Sequence, residues 1–331
     1  MTLKISAAEL PVEGTFPSLG GATEWLNSPP LTPAGLRGKV VVIDFWTYSC
    51  INWRRSEAFV RAWAQKYKDR GLVVIGVHTP EFGFEHNVDN VRWATADMRI
   101  DYPIAIDNDF AVWNAFGNEF WPALYVVDAQ GRIRYHQFGE GDYQRSEEVI
   151  QQLLTEAGAD GIASDLASVD GRAFEASADW SDLKSPENYL GYNRSANFAS
   201  PGGAVPDRSV VYALPARIEL NDWALSGDWT VGKEAIVSGK AGGRIAYSFH
   251  ARDLHLIAGP AAGGAPVRFR VLLDGRPPGA ARGLDVDEQG YGTVTEPRLY
   301  QLIRQAKPIV ERAFEIEFLD PGAEAYDFTF G

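Results

Sequence analysis

The sequence predicts two domains of different class: an α/β domain with a central mixed sheet flanked by helices, then an all-β sandwich or jelly-roll domain. The first part of the chain alternates apolar runs of strand length with amphipathic helical segments. The last third alternates apolar and polar residues, with turn residues every ~8–12 positions. The length of 331 residues also exceeds the ~250–300 residues at which a single hydrophobic core stops growing.

The elements of the first domain, residues 1–157, are predicted from local patterns. Residues 1–36 are rich in Pro, Gly and Ser and predict an N-terminal extension with a short hairpin. Residues 54–70 place apolar side chains at helical spacing, and Gly71 follows as a natural C-cap. The same patterns predict strands at 39–46, 72–77, 123–128 and 131–136 and helices at 84–98, 109–116 and 145–157.

The remainder of the chain changes in character twice. Residues 158–208 are small, polar and irregular, and predict a linker with ordered loops. Residues 209–331 read as the antiparallel sandwich or jelly roll. A peptide or a sugar could bind this domain through exposed aromatic side chains, although core packing is the default for the three candidates Trp223, Trp229 and Tyr291.

Composition limits the partners and the compartment. The formal net charge of −13 makes nucleic acid and anionic membranes unsuitable partners. The N-terminus shows no signal peptide, and no apolar run approaches the ~20 residues that span a bilayer. The single cysteine rules out internal disulfides, so we expect a cytoplasmic protein. A periplasmic or other extracytoplasmic location is the alternative if an export signal has been removed.

The single cysteine, Cys50, lies between a predicted strand and a predicted helix. A free cysteine has a pKa of about 8.5, and the thiolate is the nucleophile. The helix N-terminus and the nearby Arg54 and Arg55 favour the thiolate. A buried Asp44 would raise the pKa of the thiol and could relay its proton. We therefore expect a partly activated thiol.

Trp53 stands where a Cys-x-x-Cys dithiol would place its second sulfur. Cys50 would therefore form a mixed disulfide or a sulfenic acid that waits for an external thiol such as glutathione. The expected substrate is a disulfide or an oxidised thiol, and no cofactor is expected. The plain alternative is that Cys50 is a small buried hydrophobic residue.

Two motifs carry a resemblance to a known family. The Asp44-Phe45-Trp46 run begins six residues before Cys50, and the segment Trp121-Pro122-Ala123 looks like the start of a later strand that opens with a cis-proline. With these motifs, residues 10–157 resemble the thioredoxin-like superfamily, in the branch of TlpA-like and DipZ-like thiol–disulfide oxidoreductases. The C-terminal domain resembles the carbohydrate-binding-module-like domain of some DipZ-type proteins.

The resemblance and the local chemistry together define the predicted site. Cys50 is the nucleophile, Asp44 the proton relay, Thr47 a polar neighbour and Pro122 the backbone element on the substrate side. The four residues expected to contact substrate are Trp46, Asn52, Trp53 and Trp121. The indole rings of Trp46, Trp53 and Trp121 would form either an apolar docking surface or packing that closes off the cysteine.

Two other functions remain open at this point. The first is a one-cysteine peroxidase, because Thr47 and Cys50 reproduce the Thr-x-x-Cys motif of peroxiredoxins. That family also has a proline where this chain has Ile43, and an arginine where it has Pro122. The second is a redox-inactive thioredoxin-fold binding module.

A weak metal motif occurs in the C-terminal domain. Asp285, Asp287, Gln289 and Glu296 nearly match a twelve-residue calcium loop, which needs several converging oxygen ligands. A polar hairpin is the favoured explanation, so no metal site is predicted. The five histidines show no zinc or haem spacing, and His78 is expected to be structural.

Overall fold

The computed structural model describes residues 9–261 and 264–331. The chain forms two compact units, the first ending at Glu175 and the second beginning at Ala176. The segment 158–208, predicted as a linker with ordered loops, is divided between them. Its first part belongs to the α/β unit and its second part to the all-β unit.

The first unit contains a seven-stranded mixed sheet. Its strands are β1 (Gly14–Thr15), β2 (Glu24–Leu26), β3 (Val40–Trp46), β4 (Leu72–His78), β5 (Ile104–Ile106), β6 (Ala123–Val127) and β7 (Arg132–Phe138). They lie in the order β1-β7-β6-β3-β4-β5-β2. The pairs β3–β4 and β4–β5 are parallel and the other neighbours are antiparallel.

Helices cover both faces of this sheet, as predicted. They are α1 (Ile51–Tyr67), α2 (Val88–Asp97), α3 (Ala111–Phe116) and α4 (Tyr143–Glu156), with short 3-10 turns at Lys68–Arg70, Gly83–His86 and Ala173–Glu175. Strand β3 is buried along its whole length, and its alternate residues enter two different cores. Val42 packs in the core that includes residues of α1 and α4. Ile43 packs in the opposite core, which includes residues of α3. Burial on both faces explains the continuous apolar sequence of β3.

Two details of the sequence prediction are wrong. The N-terminal strands do not form a hairpin, because β1 pairs with β7 and β2 pairs with β5, at opposite edges of the sheet. The predicted helix 84–98 is also interrupted. A 3-10 turn precedes α2, which begins after Asn87, whose side chain accepts a hydrogen bond from the Asp89 amide at 3.0 Å.

The second unit contains eleven strands that pair antiparallel. They are β8 (Asn188–Tyr189), β9 (Ser209–Tyr212), β10 (Trp223–Val231), β11 (Ile236–Ser238), β12 (Gly243–Phe249), β13 (Asp253–Pro260), β14 (Val267–Leu273), β15 (Tyr291–Val294), β16 (Arg298–Arg304), β17 (Arg312–Phe318) and β18 (Ala323–Phe330). The main path runs β15-β14-β17-β12-β10-β11-β18-β13-β16, with β8 on β18 and β9 on β10.

The two ends of this path enclose one apolar core, which confirms the predicted all-β domain. Phe269 of β14 and Tyr300 of β16 belong to opposite ends of the strand order and to the same buried cluster. Trp223 and Trp229 are also buried in it, so the default expectation of core packing is confirmed for both and neither presents an exposed ring to a ligand. Tyr291 is exposed and lies below the guanidinium of Arg270. Within the described residues, no helix is both long enough and apolar enough to cross a bilayer.

Candidate active site

Cys50 lies where the central strand of the sheet passes into its first long helix. Strand β3 ends at Trp46, and a turn follows in which the Cys50 amide donates to the Thr47 carbonyl at 3.3 Å. Cys50 is the N-cap of α1 and has an extended backbone. Its carbonyl accepts from the Arg54 amide at 3.0 Å. The helix therefore begins directly after the cysteine, as the sequence predicted, and its positive end faces the thiol.

The segment before β6 approaches the sulfur. The Trp121–Pro122 peptide bond is cis. The Trp121 carbonyl oxygen lies 4.0 Å from the Cys50 Sγ. Trp121 is half-buried, and its indole N–H donates to the Thr79 carbonyl at 3.0 Å. Cys50 itself is 8% exposed. The structure thus brings the predicted nucleophile and the predicted proline segment together.

Asp44 is buried in the middle of the sheet, on β3. Its Oδ2 accepts a hydrogen bond from the Trp53 indole N–H at 2.9 Å. Burial raises the pKa of Asp44 to about 7, the Trp53 hydrogen bond opposes this rise, and the negative charge of Glu57 adds to it. At neutral pH Asp44 can therefore both hold and release a proton, which a proton relay requires.

A small cavity lies next to Asp44. It has a volume of about 20 Å³ and is lined in part by Ser56, Pro122 and Tyr143. That volume suits roughly one water molecule, since a cavity of about 10–15 Å³ is the minimum. The hydroxyls of Ser56 and Tyr143 lie 3.2 Å apart. Asp44 thus adjoins a small, mostly apolar cavity that also borders the predicted proline.

Two of the four predicted substrate-contacting residues are core residues. The rings of Trp46 and Trp53 stack with centroids 4.3 Å apart, and neither side chain has exposed surface. Their prediction as substrate contacts is therefore wrong, and the alternative of close packing holds for this pair. Asn52 and Trp121 are both partly exposed, so a surface for substrate can include only these two of the four.

Thr47 is fully buried beside a carboxyl group that sequence reasoning missed, that of Glu85. The Ser49 hydroxyl donates to Glu85 Oε1 at 2.5 Å. The amides of Glu81 and Phe82 donate to Oε2 at 2.7 and 3.0 Å. The signal in the sequence was weak, because Glu85 is the third residue of a short 3-10 turn whose N-cap is Phe82 and not the Ser or Thr that a capping box requires.

Burial raises the pKa of Glu85 to about 7. The hydroxyls of Ser49 and Thr47 and the Phe82 amide oppose this rise, whereas the charge of Glu81 adds to it. The turn before Cys50 is therefore hydrogen-bonded, through Ser49, to a carboxyl group that changes its charge near neutral pH.

Arg55 does not supply the positive charge that the sequence predicted near the thiol. Its side chain is 2% exposed and its Nη1 forms an ion pair with Glu140 Oε1 at 2.7 Å. Burial raises the pKa of Glu140, and the charge of Arg55 opposes the rise. Arg54 lies over the Phe174 ring. Burial raises the pKa of Glu57 to about 7, and the charges of Arg61 and Arg54 oppose this rise.

His78 and the calcium motif have structural roles. Burial lowers the pKa of His78 to about 3, so its imidazole is neutral at physiological pH. The calcium candidate is wrong because the hairpin uses its carboxylates. Asp285 pairs with Arg298 at 2.7 Å, Asp287 Oδ1 accepts from the amides of Gln289 and Tyr291, and Glu296 contacts Thr295. Across the described ranges, no group of three or more His, Cys, Asp or Glu residues could hold a metal ion.

Comparison with known proteins agrees with this architecture. Residues 28–136 match the AhpC/TSA family, and residues 185–331 match the thioredoxin like C-terminal domain family. Protein DipZ of Mycobacterium bovis is 36% identical over 333 aligned positions, which cover 98% of this chain. The chain spans 44% of the length of that relative.

Shorter proteins match the first unit alone. The thiol-disulfide oxidoreductase YkuV of Bacillus subtilis is 31% identical over 141 residues, which cover 43% of this chain and 95% of YkuV. The solution structure of a thioredoxin-like protein in the oxidized form is 32% identical and covers 44% of this chain and 97% of its own, with a TM-score of 0.41. The match to nearly all of YkuV shows the family. The chain therefore belongs to the thioredoxin-like thiol–disulfide oxidoreductases, and it carries the C-terminal domain that DipZ also has.

Proposed function

We propose that this protein is a one-cysteine thiol–disulfide oxidoreductase. The Cys50 thiolate attacks one sulfur of a substrate disulfide, forms a mixed disulfide and releases the other sulfur as a thiolate. An external thiol such as glutathione then attacks the mixed disulfide. It forms a new disulfide with the substrate sulfur and returns the Cys50 thiolate. No electrons are gained or lost overall, because each step exchanges one S–S bond for another.

One observation carries this proposal: the Cys50 sulfur lies at the N-terminus of α1 and 4.0 Å from the Trp121 carbonyl. The helix terminus favours the anionic sulfur, and the adjacent Trp121 carbonyl offers an acceptor to an extended substrate. The family membership supports the same chemistry. The second sulfur is missing, so the proposal requires an external thiol rather than an internal one.

Mass spectrometry of the native protein tests the proposal. Incubation with glutathione disulfide should add one glutathione to Cys50, and reduced glutathione should remove it. The variant Cys50→Ser should gain no adduct. A native protein that forms no adduct, while the unfolded protein does, would contradict the proposal.

A redox-inactive binding module is the second candidate, because Cys50 is only 8% exposed and two of the surrounding indoles are core residues. The failure of native Cys50 to react would favour it. A one-cysteine peroxidase makes a different prediction, since dilute peroxide should then convert Cys50 to a sulfenic acid that a sulfenic-acid trap detects.

A further inference from the structure

Two buried carboxyl groups flank the turn that carries Cys50, and they have different attachments. Asp44 lies on β3 and accepts from the Trp53 indole, which occupies the position of the missing second sulfur. Glu85 lies in the segment after β4 and holds the turn itself through the Ser49 hydroxyl. Of the two carboxyl groups, Glu85 is therefore the one hydrogen-bonded to Ser49, the residue before the nucleophile.

The contacts of Glu85 join two segments. Its Oε1 accepts from Ser49, and its Oε2 accepts from the amides of Glu81 and Phe82. The side chain has no exposed surface. One carboxylate thus ties the turn after β3 to the segment after β4, and a short carboxylate bridge of this kind restricts the movement of both.

We propose, on the basis of the function above, that Glu85 is a positioning residue for Cys50: it holds the Ser49 turn in place, and its negative charge opposes formation of the Cys50 thiolate. The charge acts in this way because two like charges close together in a buried site disfavour each other. Glu85 and Cys50 therefore ionise in competition, and a neutral Glu85 makes Cys50 more acidic.

The groups around Glu85 set how readily its carboxyl group ionises, and so how strongly it competes with Cys50. The turn after β3 presents the hydroxyls of Thr47 and Ser49, and the segment after β4 presents the Phe82 amide and the charged Glu81. The hydroxyls and the amide stabilise the ionised carboxyl, and Glu81 destabilises it. The ionised form of Glu85 thus depends in part on the Ser49 hydroxyl, a donor that belongs to the Cys50 turn.

The test is the rate of Cys50 alkylation by iodoacetamide as a function of pH, in the full chain. Glu85→Gln removes the charge and keeps the size of the side chain; its amide oxygen can accept from the Glu81 and Phe82 amides, and its NH2 can donate to the Ser49 hydroxyl. The midpoint of the pH profile should move to lower pH by at least about 0.5 unit, the direction expected when a nearby like charge is removed. Ser49→Ala removes one donor to the ionised carboxyl, so the midpoint should move in the same direction by less.

Glu147→Gln is the matched control. Glu147 is a buried carboxyl of the same unit that accepts from Trp63 and from the Ala167 amide. Because its partners Trp63, Lys66, Tyr67 and Ala167 lie outside the Cys50 turn, its variant should keep the wild-type profile.

Three results would overturn the proposal. A Glu85→Gln profile that superimposes on the wild-type profile means that the charge does not act on Cys50, although the disulfide chemistry can still hold. Equal shifts in Glu85→Gln and Glu147→Gln would show a general effect of lost stability. If Glu85→Gln does not fold, an unshifted profile of Ser49→Ala overturns the proposal instead. By contrast, the failure of native wild-type Cys50 to react with any reagent rejects the proposed function itself.

Discussion

The residue that replaces the second sulfur, Trp53, does more than remove a redox partner. Its ring fills the core against Trp46, and its N–H satisfies a carboxyl oxygen of Asp44. A buried carboxyl group without a donor is costly, so this hydrogen bond stabilises Asp44 inside the sheet. The sequence could place Trp53 at the dithiol position, but it did not reveal the bond to Asp44.

We predict that Asp44 makes stability fall as pH rises. Its pKa is about 7 in the folded protein and 3.8 in the unfolded reference. The folded state therefore binds the proton more tightly, and the free energy of unfolding decreases between about pH 4 and pH 7. For Asp44→Asn, urea denaturation should show a gain relative to wild type that grows across this interval, by up to about 4 kcal/mol at ~1.4 kcal/mol per pKa unit.

Asp128 provides a control of opposite sign for that prediction. Although burial acts against it, hydrogen bonds from Arg132 and Arg134 lower the pKa of Asp128 in the folded protein. Its contribution is present at neutral pH and is lost as the pH falls, so Asp128→Asn should lose stability at pH 7 and differ little from wild type in acid. A parallel pH dependence of both variants would contradict the assignment to Asp44.

At the scale of elements, long periodic segments were predicted well and short ones poorly. Helix α1 has apolar residues at helical spacing, and strands β3 and β4 are continuous apolar runs of strand length. Strands β1, β2 and β5 have only two or three residues each, which is too short for any periodic signal. Their pairing depends on which sheet edges are open, and the sequence around them does not contain that information.

The buried ion pair between Arg55 and Glu140 joins α1 to the loop after β7. Arg55→Met should destabilise the protein by about 3–5 kcal/mol, because it leaves the buried Glu140 without its ion-pair partner. Adding Glu140→Gln should recover part of that loss, and urea denaturation of the two single variants and the double variant measures the coupling.

The exposed pair Arg217–Glu219, at 3.0 Å in the second unit, is the reference for this cycle. Because exposed ion pairs are screened by water, its coupling should be below about 1 kcal/mol. Additive effects of Arg55→Met and Glu140→Gln would show that the buried pair does not act as a unit.

For the whole molecule, the main difference from the sequence prediction is where the first unit ends. The predicted domain stopped at residue 157, but the unit continues to Glu175. The extension is anchored to the helices, since the Ala167 amide donates to Glu147 at 2.8 Å and Glu175 pairs with Arg61 at 3.0 Å. The polar and irregular sequence of residues 158–175 predicts a linker. The segment packs because Glu147 on α4 and Arg61 on α1 bind it, and both lie far from it in the chain.

This anchoring predicts that a fragment ending at residue 157 is less stable than one ending at 175. The shorter fragment leaves the buried Glu147 without the Ala167 amide and removes the Arg61–Glu175 ion pair. Thermal unfolding followed by circular dichroism should give a melting temperature lower by several degrees, since about 1 kcal/mol shifts a domain of this size by ~2–8 °C. Equal melting temperatures would show that residues 158–175 contribute no stability to the first unit.

The sequence by itself determined the class of both units and the position of Cys50 at the start of a helix. These features follow from periods and motifs within short stretches of chain. Only the tertiary structure decided that Trp46 and Trp53 are core residues, that Trp53 binds Asp44 and that Glu85 holds the Cys50 turn. Those features depend on contacts between residues far apart in the chain, and burial, which sets the pKa values of Asp44 and Glu85, exists only once the sheet and helices have packed together.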